Sequence, residues 1–180
     1  MPRLPIGDKG PCEVVWKYGE SGEIVLGPFL GAVLFKGETG TSPINESRYG
    51  NSPVDAVYTG TEATLELSMT RSTYEQLEEV LNSEVQGTPP NEYLPLINQL
   101  GCSLRDMAHP IAIKPICNNV VSEDETEWLI IYEATPVVGW NLSYDMETQR
   151  TFPVKFLVFP SEESGKEGWF GTLGAEPLGV

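Results

Sequence analysis

The chain reads as a mainly β domain with one good helix, and three observations lead there. Glycine and proline supply 18 and 15 of the 180 residues, and they recur between short runs rich in β-branched side chains, as in an all-β fold with many turns. Apolar and polar residues alternate from Glu62 to Met69, the period of a strand with one buried face. The segment from Ser72 to Val85 shifts to a clear helical period. A chain of this length fits one domain. It buries roughly two-thirds or more of its unfolded surface, so its stability requires neither disulfides nor a metal.

Taken in order, residues 1–11 are rich in Pro and Gly and predict an extended arm. Strands are predicted at Cys12 to Lys17, Glu23 to Leu26 and Gly31 to Phe35. The following stretch, Lys36 to Pro53, is polar and has no secondary-structure period, so it predicts a long loop of the kind that is usually functional or disordered. Val54, Ala56 and Tyr58 then alternate with Asp55, Val57 and Thr59. Gly60-Thr61 predicts a two-residue hairpin turn, with Gly accepting the positive φ of a type II′ turn. On the return strand Ala63, Leu65, Leu67 and Met69 face one way and Glu62, Thr64, Glu66 and Ser68 the other. Ser72 offers a helix N-cap that Glu75 completes as a capping box. Tyr74, Leu77, Val80, Leu81 and Val85 share one face of a helix over about 73–85, opposite Glu75, Glu78, Glu79 and Glu84.

Gln86 to Met107 is irregular, broken at Thr88-Pro89-Pro90, with one short helical turn predicted between Tyr93 and Leu100. The second half returns to strands at Ile111 to Cys117, Glu127 to Thr135, Val137 to Tyr144 and Thr151 to Phe159. Asp145 to Arg150 forms the last hairpin turn, and Pro136 either bends one strand or separates two. The β domain thus covers 12–160, and 161–180 form a Gly- and Glu-rich loop and tail around Trp169 and Phe170.

Charge and motifs exclude more than they assign. With 26 acidic and 11 basic residues the net charge is −15, the wrong sign for holding nucleic acid through its phosphates or for docking on anionic membranes. Cys12, Cys102 and Cys117 are odd in number and form no C-x-x-C pair, so zinc and redox motifs are unsupported and reduced structural thiols are expected. The first residues hold no apolar signal core, which predicts synthesis and folding in the cytoplasm. The single histidine, His109, lacks a nucleophile motif such as G-x-S-x-G nearby and reads as a pre-strand loop residue. No phosphate-cradling glycine motif occurs. The acidic run from Ser122 to Glu127 lacks the ligand spacing of a calcium loop and reads as a solvated turn. Asn45-Glu46-Ser47 and Asn141-Leu142-Ser143 match the glycosylation pattern, which without a secretory signal reads as chance. Acidic residues abound, but their spacing selects no hydrolytic pair. No cofactor, metal or catalytic residue is predicted.

The order of features resembles the major tail tube protein of long-tailed bacteriophages. A long polar loop precedes Ser52-Pro53-Val54-Asp55, a strand ends at Thr59-Gly60, and a leucine-bearing strand runs into the helix. A late hairpin carries Arg150-Thr151-Phe152-Pro153-Val154-Lys155-Phe156. The resemblance implies a β-sandwich or barrel with one flanking helix, assembled as six-fold rings stacked into a hollow, DNA-conducting tube. It implies a ring-stacking loop at Thr41, Ser42, Pro43, Ile44, Asn45, Glu46, Ser47, Arg48, Tyr49, Gly50, Asn51 and Ser52. It implies a channel wall at Glu62, Thr64, Glu66 and Ser68, whose carboxylates would repel phosphates. Partners would be further copies of the chain and tail-tip, tape-measure and tail-terminator proteins, with DNA passing unbound and no membrane contact. The site would be the virion tail, assembled in the host cytoplasm. Competing expectations are a type VI secretion-like tube, a carbohydrate-binding or virion-decoration module using Trp16, Trp128, Trp140 and Trp169, and, last, a carboxylate hydrolase.

Overall fold

The computed structural model describes residues 11–45, 48, 52–70, 72–96, 101, 103–117, 119–137 and 151–174. Residues 1–10 of the predicted arm, residues 138–144 of the expected strand with its turn at 145–150, Trp140, Cys102 and the last residues of the tail lie outside them. The described chain is mainly β. Its strands are β1 (Cys12–Trp16), β2 (Ile24–Leu26), β3 (Leu34–Asn45), β4 (Pro53–Met69), β5 (His109–Cys117), β6 (Val120–Val121), β7 (Leu129–Val137), β8 (Phe152–Phe159) and β9 (Gly171–Leu173), with one α-helix, α1 (Tyr74–Leu81), between β4 and β5. They form one antiparallel sheet in the order β2-β1-β5-β7-β8-β4-β3, with β6 added to β5 and β9 to β7. The chain leaving β2 returns to the far side of this order. Phe29 bridges Met69, the Leu30 N–H donates to the Ser68 carbonyl at 2.8 Å, and the Thr70 N–H donates to the Pro28 carbonyl at 2.8 Å. The sheet therefore curls back on itself.

The curl encloses the core. Ala63, Leu65, Leu67 and Met69 of β4 are all buried, as their alternation predicts. They meet Val154, Phe156 and Val158 of β8, Ile111 and Ile131 from β5 and β7, Val14 and Trp16 from β1, and Val80 from the helix. Trp16 packs against Phe156 with ring centroids 5.2 Å apart and meets His109 edge-on at 5.4 Å. His109 opens β5, not a loop, because its neighbour Pro110 accepts from Tyr18 while Ile111 pairs with Trp16.

Several expectations are corrected. The predicted loop from Lys36 to Pro53 is largely strand. β3 pairs with β4 from Leu34↔Glu66 out to Asn45↔Pro53. The Gly60-Thr61 turn does not form, because Gly60 sits inside one continuous strand opposite Gly40, and its φ of 131° serves a bulge there. The polar run hid a strand because both of its faces meet water, which removes the alternating hydrophobic signal. The helix is capped one residue later than predicted. Thr73 Oγ1 accepts from the Gln76 N–H and the Gln76 side chain accepts from the Thr73 N–H, each at 3.2 Å. It ends at Asn82, which takes a left-handed conformation, so Val85 lies past it. Gln76 decides this cap through tertiary contact, since its amide also donates to the Val25 and Gly27 carbonyls at 2.7 and 3.3 Å. Tyr93 bridges Gln86 at the start of the expected helical turn, and residues 97–100 of that turn lie outside the described residues. Pro136 lies inside β7, next to its last residue. β9 belongs to the sheet, although it falls in the stretch that reads as loop and tail.

Candidate functional site

The most distinctive part of the molecule is the outer half of the β3–β4 hairpin. β8 supports β4 only from Ala63 to Met69. From Pro53 to Glu62, β4 has β3 as its one sheet partner among the described residues. Every described residue of β3 from Gly37 onward and of β4 up to Glu62 is exposed. This two-stranded ribbon reaches roughly 30 Å from the core at about 3.3 Å per residue. It carries apolar side chains with no core to enter: Ile44, Val54 and Val57 are about half exposed, and Tyr58 is 82% exposed.

The predicted ring-stacking segment falls at its outer end. Thr41, Ser42, Pro43, Ile44 and Asn45 are strand, paired to Tyr58, Val57, Ala56, Asp55 and Pro53 in that order, and so are not loop. Arg48 and Ser52 are exposed. Glu46, Ser47, Tyr49, Gly50 and Asn51 lie outside the described residues.

The predicted channel wall does form one face. Glu62 is exposed, while Thr64, Glu66 and Ser68 are half-buried on the side of β4 opposite the core. Directly opposed residues of an antiparallel pair share a face. The register therefore adds Leu34, Lys36 and Glu38 from β3 and Pro153, Lys155 and Leu157 from β8. Lys36 Nζ lies 2.8 Å from Glu66 Oε2, and Lys155 Nζ lies 4.0 Å from its other oxygen. The Lys36 hydrogen bond, helped by the charges of Lys36 and Lys155, holds the Glu66 carboxyl below its ordinary range. Glu66 is thus a neutralised carboxylate between two ammonium groups. The pair Glu38 and Glu62 is different, because two like charges face each other across the strands, an arrangement that destabilises an isolated pair. A groove of about 430 Å³ opens on this face between Ala32, Leu34, Glu66, Val137, Pro153 and Lys155. Lys36 and Glu38 were not singled out from the sequence, and Lys155 was read there only as part of the late hairpin. Only the cross-strand register brings them to the face.

Other candidates disperse. His109 Nδ1 lies 2.8 Å from Glu20 Oε2 and ties down the β1–β2 turn. The acidic run is ordered by its own side chains. Ser122 donates to Glu127 at 2.6 Å, and Asp124 accepts from the Thr126 hydroxyl and N–H, which lowers its carboxyl pKa. Trp16 and Trp128 are buried and only Trp169 of the three is exposed, so these three make no shared platform. Among the described residues, no group of three His, Cys, Asp or Glu side chains is placed to hold a metal ion, and no helix is long and apolar enough to cross a membrane. No protein-family model matches the chain, and no curated protein matches it in sequence.

Proposed function

We propose that this chain is the repeating subunit of a bacteriophage tail tube, a virion protein that stacks as six-fold rings around a DNA-conducting channel. The observation that carries the reading is the ribbon formed by the outer halves of β3 and β4. A two-stranded hairpin alone in water is marginal, and long exposed strand edges are aggregation hazards that folded proteins usually cover. This ribbon does the opposite, holding exposed Val57 and Tyr58 far from the core. At the other end of the sheet the Gln76 amide occupies two carbonyls, of β2 and the residue after it. A protein that protects one edge and extends the other is suited to receive a partner at the extended one. The curled sheet and the single flanking helix fit a structural role.

In this reading the face of Glu62, Thr64, Glu66 and Ser68 lines the channel. Because Lys36 and Lys155 offset Glu66, the repulsion that keeps DNA from sticking rests on Glu38 and Glu62. Thr41–Asn45 and the chain beyond make the contact between rings. Negative-stain electron microscopy of the purified protein over a concentration series tests the proposal. Hollow rings or tubes with six-fold symmetry are the expected result. Small single particles at every concentration, even with a tail-tip complex added as a nucleus, would overturn it.

A further inference from the structure

We propose that the paired glycines Gly40 and Gly60, with the bulge beside them, form a hinge on which the outer ribbon swings as a unit. The inference concerns the free subunit and holds whatever the chain assembles into.

Three observations converge on one point in the hairpin. The first is anchorage. β8 releases β4 at Ala63, and among the described residues of the two strands the outermost side-chain hydrogen bond across the β3–β4 ladder joins the Thr39 and Thr61 hydroxyls at 3.1 Å. The second is the pair itself. Immediately beyond that tie Gly40 stands opposite Gly60, so this directly opposed pair supplies no side chain of its own, and only the bulged Thr59 reaches over Gly40. Cross-strand side-chain pairs are the main stiffening unit of a sheet, and glycine weakens a strand interior. The third is the register. Gly40 pairs with Gly60 but Thr41 pairs with Tyr58, which leaves Thr59 without an opposite residue. Such a bulge disrupts the ladder and increases local bend and twist. Gly60 also holds φ at 131°, a region open to glycine and closed to most other residues. Hinges are a few residues that absorb large backbone changes between elements that stay rigid. Here the pairs beyond the glycines, from Thr41↔Tyr58 to Ile44↔Asp55, run without a further shift and make the rigid arm.

The bulge also sets which side chains the arm presents. Along β4 the alternation changes phase at Thr59, so Tyr58 and Ala56 continue the side occupied by Ala63 and Leu65, whereas Val57 and Asp55 continue the side of Glu62 and Glu66. Rotation at the glycines therefore re-aims Tyr58 relative to the core without breaking a pair in the arm.

Spin labels carried by noncanonical amino acids at Ser42 and Leu173 give the test, since they leave the native cysteines in place. Their distance distribution is measured by pulsed electron resonance, with a pair at Val25 and Leu173 as the control within the body. The expected width for the arm pair is at least twice that of the control. A regularised variant, Gly40→Thr and Gly60→Thr with Thr59 deleted, should bring the width down to the control value. Gly40→Ala probes the same point with less change, because its Cβ would press on the Thr59 hydroxyl and take up the room in which the bulge turns. An arm pair as narrow as the control would overturn the hinge. So would a width that neither variant reduces, because the motion would then lie elsewhere.

Discussion

Glu66 shows how a single residue's role depends on its neighbours across the sheet. Its carboxyl is held below the ordinary range first by the Lys36 hydrogen bond and then by the charges of Lys36 and Lys155. A carboxyl with a lowered folded value contributes stability above its unfolded value, and that contribution disappears as pH falls through the folded one. Lys36→Met should therefore move the Glu66 midpoint, followed by carboxyl-carbon NMR, upward toward an ordinary glutamate, and the difference from the parent should vanish in acid. An unchanged midpoint would show that Lys155 alone sets it. Buried residues offer a larger effect. Phe156 is 0% exposed and packs against Trp16, so Phe156→Ala should cost about 3–5 kcal/mol in urea unfolding. The buried face of β4 was legible because Ala63, Leu65, Leu67 and Met69 keep a period of two. The helix cap was not, because Ser72 and Thr73 both offer a capping oxygen. The choice falls to Gln76, whose amide finds carbonyls 49 and 51 residues away in sequence.

The β3–β4 hairpin is the element where sequence and structure part company. A strand buried on one side announces itself by alternation, and β4 from Ala63 onward does so. A ribbon wet on both sides has no such pattern, so Thr39 to Asn45 reads as loop and Gly60 as a turn. The pairing of two segments, and not either one's own propensity, makes the strand. The carboxylates Glu62 and Glu66 were legible as part of a polar face. The lysines that neutralise one of them were not, because Lys36 and Lys155 lie 30 and 89 residues from Glu66 and meet it only through the register. The exposed apolar residues of the ribbon give this element its own prediction. Val57→Ser with Tyr58→Ser should change the urea midpoint by no more than about 0.5 kcal/mol equivalent, as surface changes usually do. If the ribbon is the contact between copies, the same variant should lose rings and tubes in sedimentation velocity and in the microscope. Normal assembly by the double variant would move the contact to another surface.

At the scale of the whole molecule the net charge of −15 works against the proposed assembly, since every copy added to a ring repels those already there. Association then has to come from short-range contacts, the ribbon's apolar side chains and strand edges, acting once the charges are screened. The Debye length is about 30 Å at 0.01 M salt and about 8 Å at 0.15 M, so the first condition lets neighbouring subunits feel each other's full charge and the second confines repulsion to the interface. The onset concentration for tubes, read by light scattering and checked by microscopy, should therefore fall as salt rises through this range. Glu38→Gln with Glu62→Gln removes the facing carboxylate pair and should lower the onset further at 0.01 M, with little effect at 0.15 M. The opposite trend, tubes that dissolve as salt rises, would mean that ion pairs between copies hold the assembly. The bridges Lys36 and Lys155 make to Glu66 would then be the first to examine as exchanging across the interface.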